Sequence, residues 1–201
     1  MKTELCEKSG YKLIHIFEWE WITKQEIVKE KLKAILKIDQ EKIYARKCIV
    51  KEIETKDKNE FLNEHHLYGE DNSNISLGLF YENELISVMT FAHYKPDKKY
   101  TWELTRYATS KHVIGGAGKL LSYFRKNHSG TIITYVDRRF NQEEDMYEKL
   151  EFKLIGKTKP NSFWVKNNKV LIVDNDEIKN ETLTNDRYFK LYDCGSLIYA
   201  I

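Results

Sequence analysis

The chain has 201 residues, of which 41% are apolar, and this predicts one domain of ordinary size with a small appendage. The 33 Lys and Arg residues nearly balance the 31 Asp and Glu residues, so nucleic-acid binding would need a local positive patch. The three cysteines lack the short spacings of zinc sites, and we expect free thiols. Neither a long apolar run nor a signal peptide occurs, which predicts a soluble, cytoplasmic protein with no membrane partner.

Residues 1–45 predict a short strand-helix appendage. Residues 11–17 mix β-branched and aromatic side chains over the length of one strand. Thr23, with Glu26 three positions later, has the spacing of a capping box and predicts the start of a helix that ends before Asp39. This unit is too small to fold alone, so we expect it to pack on the rest of the chain.

Three aromatic residues of the appendage alternate along the predicted strand. Phe17, Trp19 and Trp21 would therefore share one face of that strand. The interpretation we favour is a hydrophobic seam onto the main domain. A base-stacking platform and a homodimer contact are the alternatives.

Residues 46–201 predict a mixed α/β (α+β) domain with a mostly antiparallel central sheet flanked by helices. Two strand-like runs are joined by a short polar turn around Asn83, which is typical of a hairpin. Further on, a strand, a glycine turn, a helix and a second strand have the order of a βαβ crossover. The tail from Val170 has two apolar segments that we could not place. The predicted strands are residues 48–53, 75–81, 85–91, 101–107, 131–136, 152–156 and 163–165, and the helices are 57–67, 119–126 and 147–150.

The glycine turn is the first candidate site. Gly115, Gly116 and Gly118 precede an amphipathic helix, where small residues let the backbone approach a phosphate and the free N–H groups attract an anion. Lys119 adds a positive charge at the same end. The alternative is a tight turn without a ligand.

Two segments resemble motifs of GNAT acyltransferases. Residues 113–121 (VIGGAGKLL) are similar to the family's pyrophosphate loop, and residues 146–152 (MYEKLEF) are similar to its late helix. The resemblance implies that acetyl-CoA, or a related acyl-CoA, is the cofactor, and that Tyr147 protonates the departing thiolate. Two departures from the family pattern occur. His112 or Val113, depending on the register, stands where the family's loop usually begins with Gln or Arg, and Glu151 replaces a glycine. The residues assigned to the cofactor are Ile114, Gly115, Gly116, Ala117, Gly118 and Lys119.

Within that superfamily, three segments resemble Mom-like phage DNA-modification proteins: residues 65–69, 102–106 and 134–139. This resemblance implies that the acceptor is the adenine amino group of DNA.

Residues 5–21 resemble the closing strand of the Vsr-like (EDxHD) nuclease domain of phage homing endonucleases. The catalytic residues of such a domain would lie upstream of Met1, so we expect no nuclease activity.

Four residues are further candidates for catalysis. His66 lies at the end of a predicted helix and is a candidate general base or metal ligand, with a surface or capping role as the alternative. Glu103 and Arg106 lie three positions apart on a strand, so we expect them on opposite faces. Asp137 ends a predicted parallel strand, where α/β sheets bind ligands, and is a second candidate base. Its alternative roles are a helix cap or a salt bridge with Arg138.

Three basic residues are candidates for a local phosphate-binding patch: Lys111, Arg138 and Arg139. The alternative is a charged, solvated face.

Two functional hypotheses follow from the sequence. The first is a phage-type N-acyltransferase acting on a nucleobase or on a lysine of a host protein. The second is a catalytically inactive DNA-binding or accessory module of a homing endonuclease, which the departures at Val113 and Glu151 favour.

Overall fold

The computed structural model describes residues 2–38, 42–140, 146–167, 169–171 and 187–201. In these ranges no helix is both long and apolar enough to span a membrane. The helices are α1 Lys2–Lys8, α2 Glu18–Thr23, α3 Gln25–Ile35, α4 Thr55–His65, α5 Gly116–Asn127 and α6 Met146–Lys149. The strands are β1 Lys42–Tyr44, β2 Ile49–Glu52, β3 Ile75–Tyr81, β4 Glu84–His93, β5 Trp102–Thr109, β6 His112–Ile114, β7 Ile132–Asp137, β8 Lys153–Lys157, β9 Ser162–Lys166, β10 Lys169–Leu171, β11 Phe189–Tyr192 and β12 Ser196–Ala200.

A seven-stranded sheet with the order β2-β3-β4-β5-β7-β12-β8 forms the centre of the molecule. Its neighbouring strands are antiparallel except β5 and β7, which are parallel and are joined through α5. The predicted α/β class with a mostly antiparallel sheet is confirmed. One predicted closing strand became β8, whereas the other became β9, which lies in a separate three-stranded sheet between β10 and β11. The last strand, β12, inserts between β7 and β8, so part of the unplaced tail completes the main sheet.

The hairpin between β3 and β4 is confirmed, and its turn consists of Glu82 and Asn83. Both residues have positive φ, at 49° and 67°. A two-residue turn of this kind matches the right-handed twist of the paired strands. The hairpin places β3 and β4 side by side in the main sheet, and β4 pairs with β5 on its other edge.

Helices cover both faces of the main sheet. The helix α5 buries Leu120, Leu121 and Phe124 against β2, β3 and β4 in the larger core cluster. On the opposite face, α4 buries Phe61 and Leu62 in a smaller cluster. The ring of Phe124 stacks on Phe91 of β4, with the ring centres 3.6 Å apart.

The predicted N-terminal strand is wrong, because residues 11–17 have no regular secondary structure. A strand needs a neighbour for its N–H and C=O groups, and this segment docks through side chains instead. The predicted helix is confirmed as α3, but it begins at Gln25. Thr23 does not cap it; the Thr23 hydroxyl donates to the Trp19 carbonyl at 2.6 Å and ends α2. The backbone N–H of Phe17 donates to the Glu20 carboxylate at 3.1 Å, which caps α2.

The aromatic seam exists without the strand. The ring centres of Phe17 and Trp19 lie 4.2 Å apart in a stacked pair. The edge of Phe163 on β9 meets both rings, with centre distances of 5.0 and 5.1 Å. Trp21 is outside this seam and 42% exposed. Two of the three predicted aromatic residues therefore attach the N-terminal segment to the rest of the chain.

Candidate active site at the split between two strands

The central parallel pair of strands is paired along only part of its length. Trp102, Glu103 and Leu104 pair with residues 132–134, and no further pairs join β5 to β7. Beyond Leu104 and Thr134 the two strands diverge toward their carboxyl ends. A split of this kind leaves backbone N–H and C=O groups on both inner edges for a ligand.

A β-bulge marks the point where β5 leaves β7. Phe91 of β4 is opposite Leu104, and Thr90 is opposite Arg106, so Thr105 is an extra residue in β5. The Asp71 carboxylate accepts hydrogen bonds from the hydroxyls of both Thr105 and Thr90. Bulges bend a strand and redirect its side chains, and they are frequent next to active sites.

Asp71 is itself held by a buried cation. Its carboxylate lies 3.1 Å from the ammonium of Lys58, and the two side chains are 7% and 3% exposed. Burial acts to raise the pKa of Asp71, but the hydrogen bonds from Thr105, Thr90 and Lys58 outweigh it and hold that pKa below its usual value. No local feature of the sequence distinguishes Asp71, because its partner on β5, Thr105, is 34 residues away.

The bulge corrects one prediction, since Glu103 and Arg106 share a face of β5. Leu104 and Tyr107 both pack in the cluster beneath α5, whereas Ala108 packs in the cluster beneath α4. Regular alternation would instead have placed Leu104 and Ala108 together. The extra residue shifts the alternation by one, and Glu103 and Arg106 both fall on the face opposite α5.

A cleft of about 1160 Å³ occupies the split. Its walls come from β5, β7, the segment after α4, the N-terminal helices α2 and α3, the helix α6 and the loop before β9. The lining residues include Glu20, Lys24, Lys31, His66, Tyr68, Thr105, Arg106, Tyr107, Thr134, Tyr135, Val136, Asp137, Arg139, Tyr147 and Phe163. The structure therefore places His66, Arg106, Asp137 and Tyr147 in the lining of one cleft.

Asp137 lies in this cleft within a tight ion-pair network. Its carboxylate accepts hydrogen bonds from the Arg139 guanidinium at 2.8 Å and from the Tyr68 hydroxyl at 2.5 Å. Burial acts to raise its pKa, but the hydrogen bonds and charge of Arg139 and the bond from Tyr68 keep that pKa below its usual value. The predicted salt bridge to Arg138 is replaced by one to Arg139. An anchored carboxylate with a lowered pKa is a weak proton acceptor, so the geometry favours a structural role for Asp137.

The same network attaches α2 to the sheet. Arg139 is 2% exposed and binds both oxygens of Glu20 at 2.9 Å. Burial and the charge of Asp137 raise the pKa of Tyr68, so its hydroxyl keeps its proton and donates a hydrogen bond to Asp137. The side chain of Arg139 thus binds Glu20, Tyr68 and Asp137, which come from three segments of the chain. These bonds hold α2 against the sheet as the N-terminal wall of the cleft.

His66 faces the cleft as a neutral imidazole. Burial, followed by the charges of Arg106 and Lys31, lowers its pKa to about 3. Its Nδ1 accepts the backbone N–H of Tyr68 at 3.2 Å, so the proton of the neutral ring is on Nε2. This tautomer makes His66 a hydrogen-bond donor toward the cleft, which argues against its predicted role as a general base.

Glu103 is the carboxylate near the split with a raised pKa. Burial is the main cause and the charge of Asp71 adds to it, while Arg106 acts in the opposite direction. Glu103 does not line the cleft itself. It lies close enough to Tyr135, which does line it, to contribute to the raised pKa of that phenol. Of the predicted bases, Glu103 is the one whose surroundings raise its pKa, which favours it as a proton acceptor over Asp137 and His66.

The glycine turn lies next to the cleft, at the start of α5. Gly115 is the N-cap of α5 and has φ = 77°, a conformation that favours glycine. A Cβ on Gly116 would lie 3.1 Å from Val113 and 3.3 Å from the Tyr107 hydroxyl, so this position is packed. The Cβ position of Gly118 lies 3.4 Å from Leu150, and Gly118 opens onto a second pocket of about 480 Å³ between α5 and α6.

Lys119 does not point toward this turn. Its ammonium donates to the carbonyls of Ala45 at 2.9 Å and Cys48 at 2.5 Å, which anchors the 3₁₀ helix of residues 45–47. Lys119, which was predicted to bind the cofactor, therefore holds the 3₁₀ helix against α5 in this structure. Ile114 precedes the turn in β6, which pairs with β1 in a separate parallel ladder.

Tyr147, in α6, forms part of the opposite wall of the cleft. Its ring stacks near Tyr199 of β12, with the centres 5.6 Å apart, and meets the edge of Phe152. These contacts fix the ring against the core while the residue still lines the cleft. Its position is compatible with the predicted role of proton donor.

The predicted phosphate patch does not form. Arg138 is buried and binds Glu7 at 3.1 Å, and Arg139 is buried in the network described above. Lys111 binds Glu84 at 2.5 Å on the hairpin side of the sheet. The sequence does not indicate this burial, because Glu7 and Glu20, which bind Arg138 and Arg139, lie in the distant N-terminal segment.

Comparison with known proteins adds distant likenesses only. No protein-family model and no curated protein matches the chain. A GNAT family acetyltransferase from Elizabethkingia anophelis with acetyl-CoA bound is 11% identical, with a TM-score of 0.45 over 77% of this chain and 97% of that one. The ribosomal-protein-S18-alanine N-acetyltransferase from Escherichia coli is 12% identical, with a TM-score of 0.45 over 77% and 92%. An N-acetyltransferase from Staphylococcus aureus Mu50 is 14% identical, with a TM-score of 0.44 over 77% and 97%. At these values the likeness carries no functional conclusion.

Proposed function

We propose that the chain is an acyl-CoA-dependent N-acyltransferase and that its reaction takes place in the split between β5 and β7. The observation that supports this most directly is the combination of a partly paired parallel strand pair, a bulge at Thr105 and a glycine turn that opens the crossover helix. Each part matches one portion of an acyl-CoA molecule.

The split fits the pantetheine arm. That arm is extended and contains two amide groups, so it can bind between two separated strands in the way that an added strand does. The inner edge of β5 beyond Leu104 and the inner edge of β7 beyond Thr134 supply the complementary backbone groups. The thioester would then lie near the bulge, where a backbone N–H can stabilise the oxyanion of a tetrahedral intermediate.

The start of α5 fits the pyrophosphate. The first N–H groups of a helix of 12 residues are directed at an anion, and the helix dipole favours negative charge. Arg125, Lys126 and Lys149 line the neighbouring pocket beside Gly118, and their charges suit the remaining phosphate of the cofactor.

The reaction needs a base and an acid. In this proposal Glu103 removes a proton from the acceptor amine, directly or through one water, because burial raises its pKa. The amine attacks the thioester carbon, and Tyr147 returns a proton to the sulfur as coenzyme A leaves. Arg106, on the same face as Glu103, orients the acceptor. The resemblance to Mom-like proteins offers the adenine amino group as the acceptor, and a lysine of a host protein is the alternative.

The test is calorimetric titration of acetyl-CoA into the wild type, Gly118→Asp and Gly118→Ala. Gly118 is a suitable position because a Cβ has space there and an acidic residue suits the first turn of a helix. The new carboxylate should repel the phosphates and weaken binding about tenfold or more, whereas the alanine control should bind like the wild type. Absence of binding to the wild type would reject the proposal and support the accessory DNA-binding module.

A kinetic variant tests the chemical step separately. Tyr147→Phe should lower kcat about 100-fold with KM for acetyl-CoA almost unchanged, because general acid catalysis contributes roughly that much. Release of the free thiol of coenzyme A, followed by mass spectrometry of nucleosides and proteins, measures both the rate and the acceptor. An unchanged kcat would remove Tyr147 from the mechanism.

A further inference from the structure

Two cations on the N-terminal side of the cleft are bound only by neutral groups among the described residues. The Lys24 ammonium donates to the carbonyl of Leu67 at 2.5 Å. The Arg106 guanidinium donates to the carbonyl of Thr105 at 2.8 Å and to that of Gly69 at 3.4 Å. Carbonyl groups satisfy hydrogen bonds but do not cancel a charge.

A third cation completes the cluster. The Lys31 ammonium lies 5.2 Å from the centre of the Phe140 ring, and burial lowers its pKa. The nearby carboxylates of Glu20 and Asp137 already bind Arg139. Within the described part of the chain, none of these three cations forms a salt bridge, although the charges of Glu20, Asp137 and Glu103 act on them from farther away.

His66 lines the same cleft as the three cations and lies within range of their charges. The charges of Arg106, Lys31 and Lys24 all act to lower its pKa, and only Asp71 acts in the opposite direction. Its Nε2–H provides one more donor toward the same space. Three cations and a neutral donor around one part of a cavity are the arrangement that binds an oxyanion.

On the basis of the proposed function, we propose that the acceptor is a small amine bearing an oxyanion, a carboxylate or a phosphate, that binds between Lys24, Lys31 and Arg106. Binding there places the oxyanion on the side of the cleft away from α5. The amine of the same molecule then reaches the thioester in the split. This arrangement makes the positive cluster the part of the site that selects the substrate.

The position of the cluster favours a small molecule over nucleic acid. Lys24, Lys31 and Arg106 are each half-buried in the cleft wall and do not stand on an open face. A duplex or strand needs a row of accessible cations along its phosphates, and the two arginines predicted to supply it, Arg138 and Arg139, are buried in ion pairs.

Nuclear magnetic resonance of the His66 imidazole tests the site directly, with the signal assigned from its loss in His66→Gln. Inorganic phosphate and acetate are titrated at constant ionic strength, with and without saturating coenzyme A. We expect a saturable shift and a raised His66 pKa, because an added anion offsets the three positive charges. The double variant Lys24→Gln/Arg106→Gln should bind about tenfold more weakly or worse, and the exposed control Lys56→Gln should match the wild type.

The outcomes separate this inference from the proposed function. A His66 response to both anions, lost in the double variant, supports the oxyanion site whether or not coenzyme A binds. Binding of acetyl-CoA without any His66 response overturns the site and leaves the acyltransferase intact. A single-stranded oligonucleotide that moves the His66 signal at lower concentration than phosphate also overturns it, in favour of a nucleic-acid acceptor.

Discussion

Asp71 shapes the active-site split without lining it. Its carboxylate bonds to one threonine on each of two neighbouring strands, and one of these, Thr105, is the extra residue of the bulge. The buried ammonium of Lys58 balances its charge. A regular strand would place Arg106 on the opposite face, so this one carboxylate helps to decide which side chains reach the acceptor.

A pair of threonine variants separates this role from stability. Thr105→Val and Thr90→Val keep the side-chain shape and remove one hydrogen bond each to the same carboxylate. Each should lower the free energy of unfolding by about 1 kcal/mol. Only Thr105→Val should also lower kcat/KM for acetyl transfer, about tenfold, because the bulge then loses its anchor. Urea unfolding and steady-state kinetics measure both values, and equal activity of the two variants would exclude a special role for the bulge.

At the scale of elements, local signals predicted well and distant pairings did not. The hairpin at Asn83 and the helix after the glycine turn were predicted because turn residues and apolar periodicity encode them locally. The strand predicted at residues 11–17 was wrong because, in the described structure, this segment docks through side chains such as the Phe17 ring and pairs with no strand. The sequence does not indicate the bulge at Thr105, because the bulge exists only as a shift in the register between β5 and β4.

In the candidate site, too, the sequence predicted which residues belong to it but not the roles that depend on distant partners. Asp137 was predicted as a site residue because it ends a parallel strand, and Tyr147 because its segment resembles the late helix of GNAT acyltransferases; both line the same cleft. Their roles could not be predicted, because these depend on partners far away in the sequence. The loss of basicity at Asp137 comes from Arg139 and Tyr68, and Arg139 is itself held by Glu20.

The element α2 should dock through only one of its two tryptophans. Trp19 stacks with Phe17 and meets Phe163, whereas Trp21 is 42% exposed. We expect Trp19→Ala to lower the free energy of unfolding by about 2 kcal/mol and Trp21→Ala to change it by less than about 0.5 kcal/mol. Thermal and denaturant unfolding compare them. Equal effects of the two substitutions would contradict the observed seam.

At the scale of the whole molecule, the charges that hold the cleft together also make the fold sensitive to acid. Asp71 and Asp137 have pKa values below their usual ones in the folded protein, and His66 has a pKa of about 3. In each case the unfolded chain binds the proton more tightly. The stability that these groups provide is complete above the unfolded pKa and declines as the pH falls below it.

The decline should have two stages, because the unfolded pKa values differ. Below about pH 6.5 the unfolded chain protonates at His66 while the folded protein does not, which lowers stability by at most about 1.4 kcal/mol per pH unit. Below about pH 4 protonation of the two aspartates lowers the stability further.

Urea unfolding from pH 7.5 to pH 3.5 should therefore show a midpoint that falls with pH in the wild type. His66→Gln should remove part of the slope between pH 6.5 and pH 4, and the exposed control His112→Gln should keep it. A slope that is the same in both variants would mean that the surroundings of His66 do not hold its imidazole neutral in the folded protein.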